Sequence, residues 1–275
     1  MNISCKGKLI ELTTPKIMRI LNLTPDSFYD GGLYNNTDRA LAQTEKMLLE
    51  GATFIDVGGA SSKPGAVEVS ADEELARVLP VIEKIHIKFP DTLISIDTYR
   101  SDVAQQAVAA GAAMVNDISG GNLDAKMLKT VGALGVPFVA MHMQGKPQNM
   151  QDKPSYDNIL TEIRSFFAAK IYAGHKAGIH DIIIDPGFGF GKTLEHNYLL
   201  LKHLSSIQMD GIPMLIGVSR KSMIYKLLQI EVAEAGNGTS VLNTVALQQG
   251  AQIIRVHDVK EAHQAVQLIE KLKNA

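Results

Sequence analysis

The sequence predicts an α/β fold, a (β/α)₈ TIM barrel in one domain, from three observations. Eight short apolar runs alternate with longer segments of helical period along the 275 residues, as expected for repeated strand–helix units in a parallel sheet. Several helical segments end in Gly before the next strand, which suits helix closure in the left-handed conformation. No proline- or serine-rich linker divides the chain, so residues 1–275 are predicted to form a single domain. A doubly wound sheet is the alternative.

The strand predictions are apolar without alternation, which is typical of strands covered on both faces. In order they are Ile17–Asn22, Thr53–Gly58, Leu93–Asp97, Met114–Asn116, Phe138–His142, Ile182–Asp185, Met214–Gly217 and Ile253–His257. The helical segments are Asp38–Glu50, Ala71–Lys88, Ser101–Ala110, Ala125–Gly135, Asn158–Ala177, Leu194–Leu204, Lys221–Gln229, Thr239–Gln249 and Val259–Lys273. The first dozen residues are predicted to form a short β-hairpin across the barrel floor.

The composition narrows the class of protein. With 45% hydrophobic and 20% charged residues the chain can build a large core. A net charge of −2 gives no reason to expect a nucleic-acid partner. The single cysteine, Cys5, excludes an intramolecular disulfide framework and is predicted to be an inert thiol. No signal peptide or membrane-spanning run is recognisable, so we predict a cytoplasmic protein.

Each predicted strand has a polar or ionisable residue at or near its carboxyl end. These residues are Asn22, Asp56, Asp97, Asn116, His142, Asp185, Ser219 with Lys221, and Arg255 with His257. One such residue alone would be interpreted as a helix cap or turn residue, but a full set at the carboxyl ends of barrel strands predicts an active site. Carboxylates and amides suit a flat, nitrogen-rich heterocycle. Asp185 could accept hydrogen bonds from the amino-amidine edge of such a heterocycle. Asn116 and Lys221 could donate hydrogen bonds to its carbonyl and ring acceptors.

Four cationic side chains late in the sequence predict an anion site: Arg220, Lys221, Arg255 and His257. Strand alternation sends Arg255 and His257 to the same side, and the loops after strands seven and eight of such barrels frequently bind phosphate. Arg255 could hold a phosphate through two parallel hydrogen bonds.

Two long loops, residues 22–32 and 58–65, are rich in Gly, Pro, Asn and Ser and are predicted to carry function. A third segment, residues 185–193, ends like a phosphate-binding loop, but Pro186 stands where that motif requires Gly. A P-loop nucleotidase is therefore rejected. We expect the glycines of this segment to let a substrate approach the backbone behind Asp185.

The motifs together closely resemble those of bacterial dihydropteroate synthases, the pterin-binding family, from about Ile17 to the C-terminal helix. They are Asn22–Gly32, Ile55–Gly59, Ser95–Thr98, Val115–Asp117, Met141–Gly145, Asp185–Phe190, Ser219–Ser222 and Arg255–His257. The resemblance implies a folate-pathway transferase on a (β/α)₈ barrel. It would join p-aminobenzoate to 6-hydroxymethyl-7,8-dihydropterin pyrophosphate and release pyrophosphate. It also implies Mg²⁺ as cofactor, small-molecule substrates and a homodimer.

The resemblance implies the following roles, residue by residue. The pterin site would consist of Asp97, Asn116, Asp185 and Lys221. The pyrophosphate would contact Asn22, Ser62, Arg255 and His257, with Asn22 as the Mg²⁺ ligand. The p-aminobenzoate site would include Ser62, Lys63, Pro64, Phe190 and Ser219. The catalytic set would be Asp97, Asp185, Lys221, Arg255 and His257.

Loop two departs from the family pattern, since Ser62-Lys63 stands where Thr-Arg is usual. Lys keeps the charge but lacks the bidentate fork of Arg, so we expect weaker p-aminobenzoate binding. Two alternative functions remain open at this point. One is a methyltetrahydrofolate–corrinoid methyltransferase, which needs no pyrophosphate site. The other is a non-catalytic pterin-binding relative.

Overall fold

An antiparallel hairpin opens the chain, and eight parallel strands follow within the part of the chain that the structure describes. The computed structural model describes residues 1–23, 33–61, 65 and 68–275, with residues 33–36 described through their backbone only. The hairpin strands are β1 Asn2–Cys5 and β2 Lys8–Glu11. The parallel strands are β3 Lys16–Asn22, β4 Phe54–Gly58, β5 Leu93–Asp97, β6 Met114–Asp117, β7 Phe138–Met141, β8 Ile182–Asp185, β9 Leu215–Ile216 and β10 Ile253–Val256.

The sheet closes on itself. Its strand order is β8-β7-β6-β5-β4-β3-β10-β9, and a parallel bridge between Ile184 and Met214 joins the two ends. A closed parallel sheet confirms the predicted barrel. It excludes the doubly wound alternative, because the sheet of that fold is open.

Helices connect the strands and cover the outside of the sheet. They are α1 Leu33–Leu49, α2 Ala71–Lys88, α3 Ser101–Ala109, α4 Met127–Leu134, α5 Ile159–Lys176, α6 Leu194–Lys202, α7 Ser222–Leu228, α8 Gly236–Gln248 and α9 Val259–Lys273. The predicted bounds of α2 and α9 are identical, whereas α1 and α8 begin several residues earlier than predicted. In α8 the glycines at the start weaken the helical signal in the sequence. No helix among the described residues is long and apolar enough to cross a membrane.

The hairpin lies across the barrel floor, as predicted. Ile3, Cys5 and Leu12 pack into a buried cluster with the first residues of the barrel strands, including Met18 and Phe54. Burial is the main cause that raises the pKa of the Cys5 thiol to about 12, which confirms its interpretation as an inert side chain. The polar strand ends therefore face the opposite end of the barrel.

Candidate active site

An ion-paired network fills the barrel just above the apolar floor. Arg255 of β10 donates from Nε to Asp56 Oδ2 at 2.6 Å and from Nη2 to Asp97 Oδ2 at 2.7 Å. Asn116 of β6 donates from Nδ2 to the same Asp56 oxygen at 3.0 Å. Four strands thus contribute to one network, which fixes the side chains relative to one another.

The pairing changes the expectation for Arg255. The sequence predicts an arginine open to a phosphate, but Nε and Nη2 are both engaged with carboxylates inside the barrel. The reason is register, because Asp97 lies opposite Gly58 and Asn116, so its carboxylate projects into the same interior as the guanidinium. Asp56 is fully buried, and its Oδ1 has no hydrogen-bond partner among the described residues. The site therefore holds a buried acceptor.

A second cluster joins the ends of β8 and β9. Asp185 is buried, and its Oδ1 accepts a hydrogen bond from Gly187 N at 2.8 Å. Lys221 donates to the carbonyl oxygen of Phe188, and its ammonium lies 4.8 Å from the centre of the Phe190 ring. Burial raises the pKa of Asp185 and lowers that of Lys221 to about 8, with Asp185 opposing the latter shift. Donor and acceptor groups thus converge at the edge where a heterocycle could bind.

His257 forms a smaller pair with Ser219. The Ser219 hydroxyl lies 3.1 Å from both the backbone nitrogen and Nδ1 of His257. Burial, followed by the positive charges of Arg19 and Arg255, lowers the pKa of His257 to about 4. His257 is therefore a neutral imidazole near neutral pH, which corrects its grouping with the cations: burial outweighs the favourable charge of Asp258.

Arg220, the remaining predicted cation, binds other parts of the protein through its side chain. Its guanidinium makes two hydrogen bonds to Asp258 at 2.9 and 3.0 Å and also donates to the carbonyl groups of Val232 and Ala233. These contacts tie the turn before α8 to the start of α9. The sequence grouped it with Lys221 because the two are adjacent, but adjacent residues project in different directions.

The groups around Gly58 fit the implied Mg²⁺. A side chain on Gly58 would lie 3.6 Å from Asn22 Oδ1 and 3.7 Å from Asp97 Oδ2, so the absent side chain leaves room between two oxygen donors. Mg²⁺ prefers such oxygens and usually shares its coordination with water and substrate phosphates. No cluster of three or more His, Cys, Asp or Glu suited to a metal occurs among the described residues. The observed fit is thus limited to the two oxygen donors beside Gly58.

His142 lies apart from the other strand-end residues. Its Nδ1 is 3.1 Å from the ammonium of Lys192, and both residues are buried. Side chains added at Gly187 and Gly191 would overlap the carbonyl oxygens of His142 and Gln144. The glycines thus permit a close approach, as expected, but to the backbone after β7. At Gly187 and Gly191 the group that lies close is therefore this backbone, and the approach of a substrate to the segment stays a prediction.

Three predicted residues, Ser62, Lys63 and Pro64, lie outside the described residues, as does the part of loop one from 24 to 32. Both flanks of loop two are described. Arg77 donates to the carbonyl oxygen of Gly59 at 2.7 Å, and Arg100 donates to that of Val69 at 2.6 Å. Two arginines thus anchor the two flanks of loop two.

Sequence reasoning missed two functional candidates. Lys192 was seen only as the end of a failed phosphate-loop motif, although a lysine after three alternating glycines is a usable signal. The ion pair of Arg100 with the buried Glu74 was also missed. Its residues lie 26 positions apart, and no local pattern indicates such a pairing.

A closed (β/α)₈ barrel with convergent charges at the carboxyl ends of its strands defines a barrel enzyme that acts on a small polar molecule. Residues 18–257 match the family model described as pterin binding enzyme. The dihydropteroate synthase of Escherichia coli is 43% identical over 100% of this chain and 98% of its own length.

Solved structures agree. The Yersinia pestis dihydropteroate synthase with a sulfonamide drug has a TM-score of 0.94 at 45% identity, with 100% of both chains covered. The Xanthomonas albilineans enzyme with 4-aminobenzoic acid has a TM-score of 0.93 at 38% identity, covering 100% of this chain and 98% of that one.

The chain belongs to the pterin-binding enzyme family. Within that family its function is dihydropteroate synthesis, a transferase reaction of folate biosynthesis. The cited relatives support this prediction over the corrinoid methyltransferase and the non-catalytic alternative.

Proposed function

We propose that the cluster at the ends of β5, β6, β8 and β9 binds the pterin of the phosphorylated substrate. Its members are Asp97, Asn116, Asp185 and Lys221. The observation that carries this proposal is the proximity of acceptors and donors at these strand ends, since Asp185 and Lys221 lie close enough for the carboxylate to raise the pKa of the ammonium against burial. A carboxylate held by a backbone N–H accepts hydrogen bonds from an amino-amidine edge, and the ammonium donates to ring acceptors.

The pyrophosphate site in this proposal lies between Asn22, Arg255 and His257, with Ser62 from loop two. Arg255 would donate through Nη1, the guanidinium nitrogen that has no hydrogen bond within the described part of the chain, while Nε and Nη2 hold Asp56 and Asp97. Neutral His257 would donate from Nε2, because its Nδ1 already contacts Ser219. Asn22 would hold Mg²⁺, which when bound neutralises charge on the leaving pyrophosphate.

The p-aminobenzoate site is proposed from Ser62, Lys63, Pro64, Phe190 and Ser219. Of the two described members, Phe190 lies under the Lys221 ammonium and beside the pterin cluster. Ser219 is buried against His257 and would border the site through this partner. The same site would accept sulfonamides, as the Yersinia pestis structure with a sulfonamide drug supports for that relative.

The reaction in this proposal is a dissociative, SN1-like substitution. The bond between the pterin methylene carbon and the pyrophosphate oxygen breaks, and the electron pair leaves with pyrophosphate. Asp97 and Asp185 stabilise the positive charge left on the methylene and ring. The amine nitrogen of p-aminobenzoate then bonds to the methylene carbon and loses a proton to water. Since this amine is already nucleophilic, positioning contributes more than base catalysis.

Calorimetry tests the site assignment. Titration of Asp185→Asn with 6-hydroxymethyl-7,8-dihydropterin pyrophosphate and Mg²⁺ should show affinity reduced on the order of a hundredfold, the cost of a lost charged hydrogen-bond partner. The exposed Asp38→Asn on α1 is the matched control. Unchanged affinity in Asp185→Asn would refute the pterin assignment. Isotope scrambling between bridging and non-bridging oxygens of the substrate pyrophosphate tests the dissociative step.

A homodimer is part of the same proposal. Apolar side chains remain exposed on the surface formed by α7 to α9 and the turn before α8. They are Leu227, Leu228, Val232, Val241, Leu268 and Leu272. Light scattering of the purified protein should give twice the mass of the chain, and Val241→Glu with Leu268→Glu should give the monomer. A monomeric wild type would contradict the proposal.

We also propose a cytoplasmic location, which its kinship with biosynthetic synthases supports. Cell fractionation followed by immunodetection tests it, since recovery in a membrane fraction would contradict it.

A further inference from the structure

Lys192 is a buried cation that the reaction described above does not use. It lies between β8 and α6 and is only 3% exposed. Its ammonium lies 3.0 Å from the Gly187 carbonyl oxygen, 3.1 Å from that of Phe190 and 3.1 Å from His142 Nδ1. No carboxylate forms an ion pair with it within the described residues. Such a position is costly for a lysine, because a buried charge normally requires a partner of opposite sign.

The surroundings match the three donors of an ammonium. Burial lowers the pKa of His142 to about 3, so its Nδ1 is free to accept. Burial also lowers the pKa of Lys192 to about 7, with Asp185 opposing the shift and Lys221 adding to it. Four acceptors, namely His142 Nδ1 and the carbonyl oxygens of His142, Gly187 and Phe190, surround Lys192 Nζ, so each N–H of the ammonium has a partner.

The backbone after β8 is shaped around this ammonium. Gly187, Gly189 and Gly191 have φ angles of +68°, +80° and +61°, a conformation that favours glycine. The repeated left-handed turns direct the carbonyl groups of Gly187 and Phe190 toward Lys192. The lysine also contacts the His142 carbonyl oxygen at 3.4 Å, which links this loop to the end of β7.

The other side of the same loop forms the wall of the pterin cluster. Gly187 N donates to Asp185, the Phe188 carbonyl accepts from Lys221, and the Phe190 ring lies under the Lys221 ammonium. The loop 187–190 therefore lies between two ammonium groups, the half-buried one of Lys221 and the buried one of Lys192. Lys221 lies on the side of the proposed pterin site, and Lys192 lies on the side of the protein interior.

We propose that Lys192 is a positioning residue for the reaction: it holds the 187–190 loop so that Lys221 and Phe190 are set for the pterin substrate. This inference rests on the proposed role of Lys221 in pterin binding. Lys192 touches no substrate atom and acts through the Phe188 carbonyl and the Phe190 ring. Lys192→Met keeps the length and apolar stem of the side chain but removes all three donors, so the loop loses its interior anchor.

The test is a double-mutant cycle read by calorimetry with 6-hydroxymethyl-7,8-dihydropterin pyrophosphate and Mg²⁺. We expect Lys192→Met to raise the Kd about tenfold or more, the range known for residues that orient metal ligands, with unchanged binding stoichiometry. A purely structural role would lower the fraction of competent sites and leave the Kd of the remainder unchanged. In a Lys221→Met background the added effect of Lys192→Met should fall below about threefold, because coupled residues are non-additive.

The exposed Lys202→Met on α6 is the matched control and should bind like the wild type. A normal Kd in Lys192→Met, or full additivity with Lys221→Met, would overturn the inference. A normal Kd in Lys221→Met alone would instead refute the proposed role of Lys221. If Lys192→Met does not fold, His142→Phe removes only one acceptor of the ammonium. It should raise the Kd severalfold in the same direction, and an unchanged Kd there also overturns the inference.

Discussion

The two ends of the barrel are built from the same strands and differ in almost every physical respect. At the floor, Met18, Phe54 and Ile253 are fully buried and apolar. Further along two of the same strands the polar end begins: Asp56 lies just above the floor, with a buried oxygen that has no partner among the described residues, and Asn22 ends β3. The interior of the floor is stabilised by apolar packing. The other end carries buried charges that cost stability unless a ligand or partner compensates them.

The comparison predicts which substitutions should change the stability of the fold without changing the activity of each folded molecule. Removing atoms from the floor should weaken the fold and leave the chemistry of each folded molecule intact. Removing a charge from the carboxyl end should abolish chemistry and, because ion pairs break there, weaken the fold as well.

The largest effect is expected from Arg255→Met. The substitution removes a donor to the leaving group, so kcat/KM should fall on the order of a thousandfold. It also leaves Asp56 and Asp97 without their guanidinium, which should cost about 3–5 kcal/mol of unfolding free energy. Initial rates and urea titrations measure the two effects, and the exposed Arg39→Met is the control. An active Arg255→Met would show that the pyrophosphate site lies elsewhere.

Phe54→Ala should show the opposite pattern. Phe54 is fully buried in the floor cluster, so the cavity should cost about 3–5 kcal/mol of unfolding free energy. The kcat/KM per folded molecule should stay within about twofold of the wild type, since the floor touches no substrate. The exposed Leu49→Ala should change neither quantity. A large loss of kcat/KM in folded Phe54→Ala would mean that the two ends of the barrel are coupled.

Gly187→Ala should cause an intermediate loss of unfolding free energy. A left-handed φ alone costs an alanine roughly 1–2 kcal/mol, and the new methyl group would also overlap the His142 carbonyl oxygen. Gly211 has a similar φ of +75° with nothing within 4 Å of an added Cβ. Gly211→Ala therefore measures the backbone penalty by itself. Equal unfolding free energies for the two variants would show that the close approach to His142 contributes nothing.

The free energy of unfolding should also fall at acid pH, because the buried imidazole of His142 lies near the polar end of the barrel. The folded-state pKa of His142 is about 3, below the usual value near 6.5 of an unfolded chain. As pH falls from about 6.5 to about 4, the unfolded state takes up a proton that the folded state does not, so stability declines. The wild type should lose about 1–3 kcal/mol more than His142→Phe over this range. Parallel curves of unfolding free energy against pH would contradict the buried, neutral imidazole.

The smallest effect is expected in loop two. Ser62→Thr with Lys63→Arg restores a methyl group and a bidentate fork, so the KM for p-aminobenzoate should fall severalfold, less than about 1.4 kcal/mol. The inhibition constant of a sulfonamide should fall with it. Unchanged constants would show that the departure from the family pattern has no effect on binding.

The strands, the hairpin and the convergence of Asp56, Asp97, Asn116 and Arg255 could be predicted because strand ends in a barrel meet at one rim. Three features could not be predicted. The charge of His257 depends on burial, the side chain of Arg220 turns to Asp258, and Lys192 lies inside a loop whose glycines indicate only an unusual backbone. All three depend on contacts between segments that are distant in sequence, and a local sequence pattern does not indicate such contacts.

The most direct test measures pyrophosphate and dihydropteroate formed by the purified protein with each reactant omitted in turn. With 6-hydroxymethyl-7,8-dihydropterin pyrophosphate, p-aminobenzoate and Mg²⁺ together, both products should appear in equal amounts. Omission of p-aminobenzoate should abolish dihydropteroate, and removal of Mg²⁺ by a chelator should strongly slow both products. Tight binding of the pterin substrate without formation of either product would contradict the account, because the carboxyl end of the barrel would then bind but not catalyse.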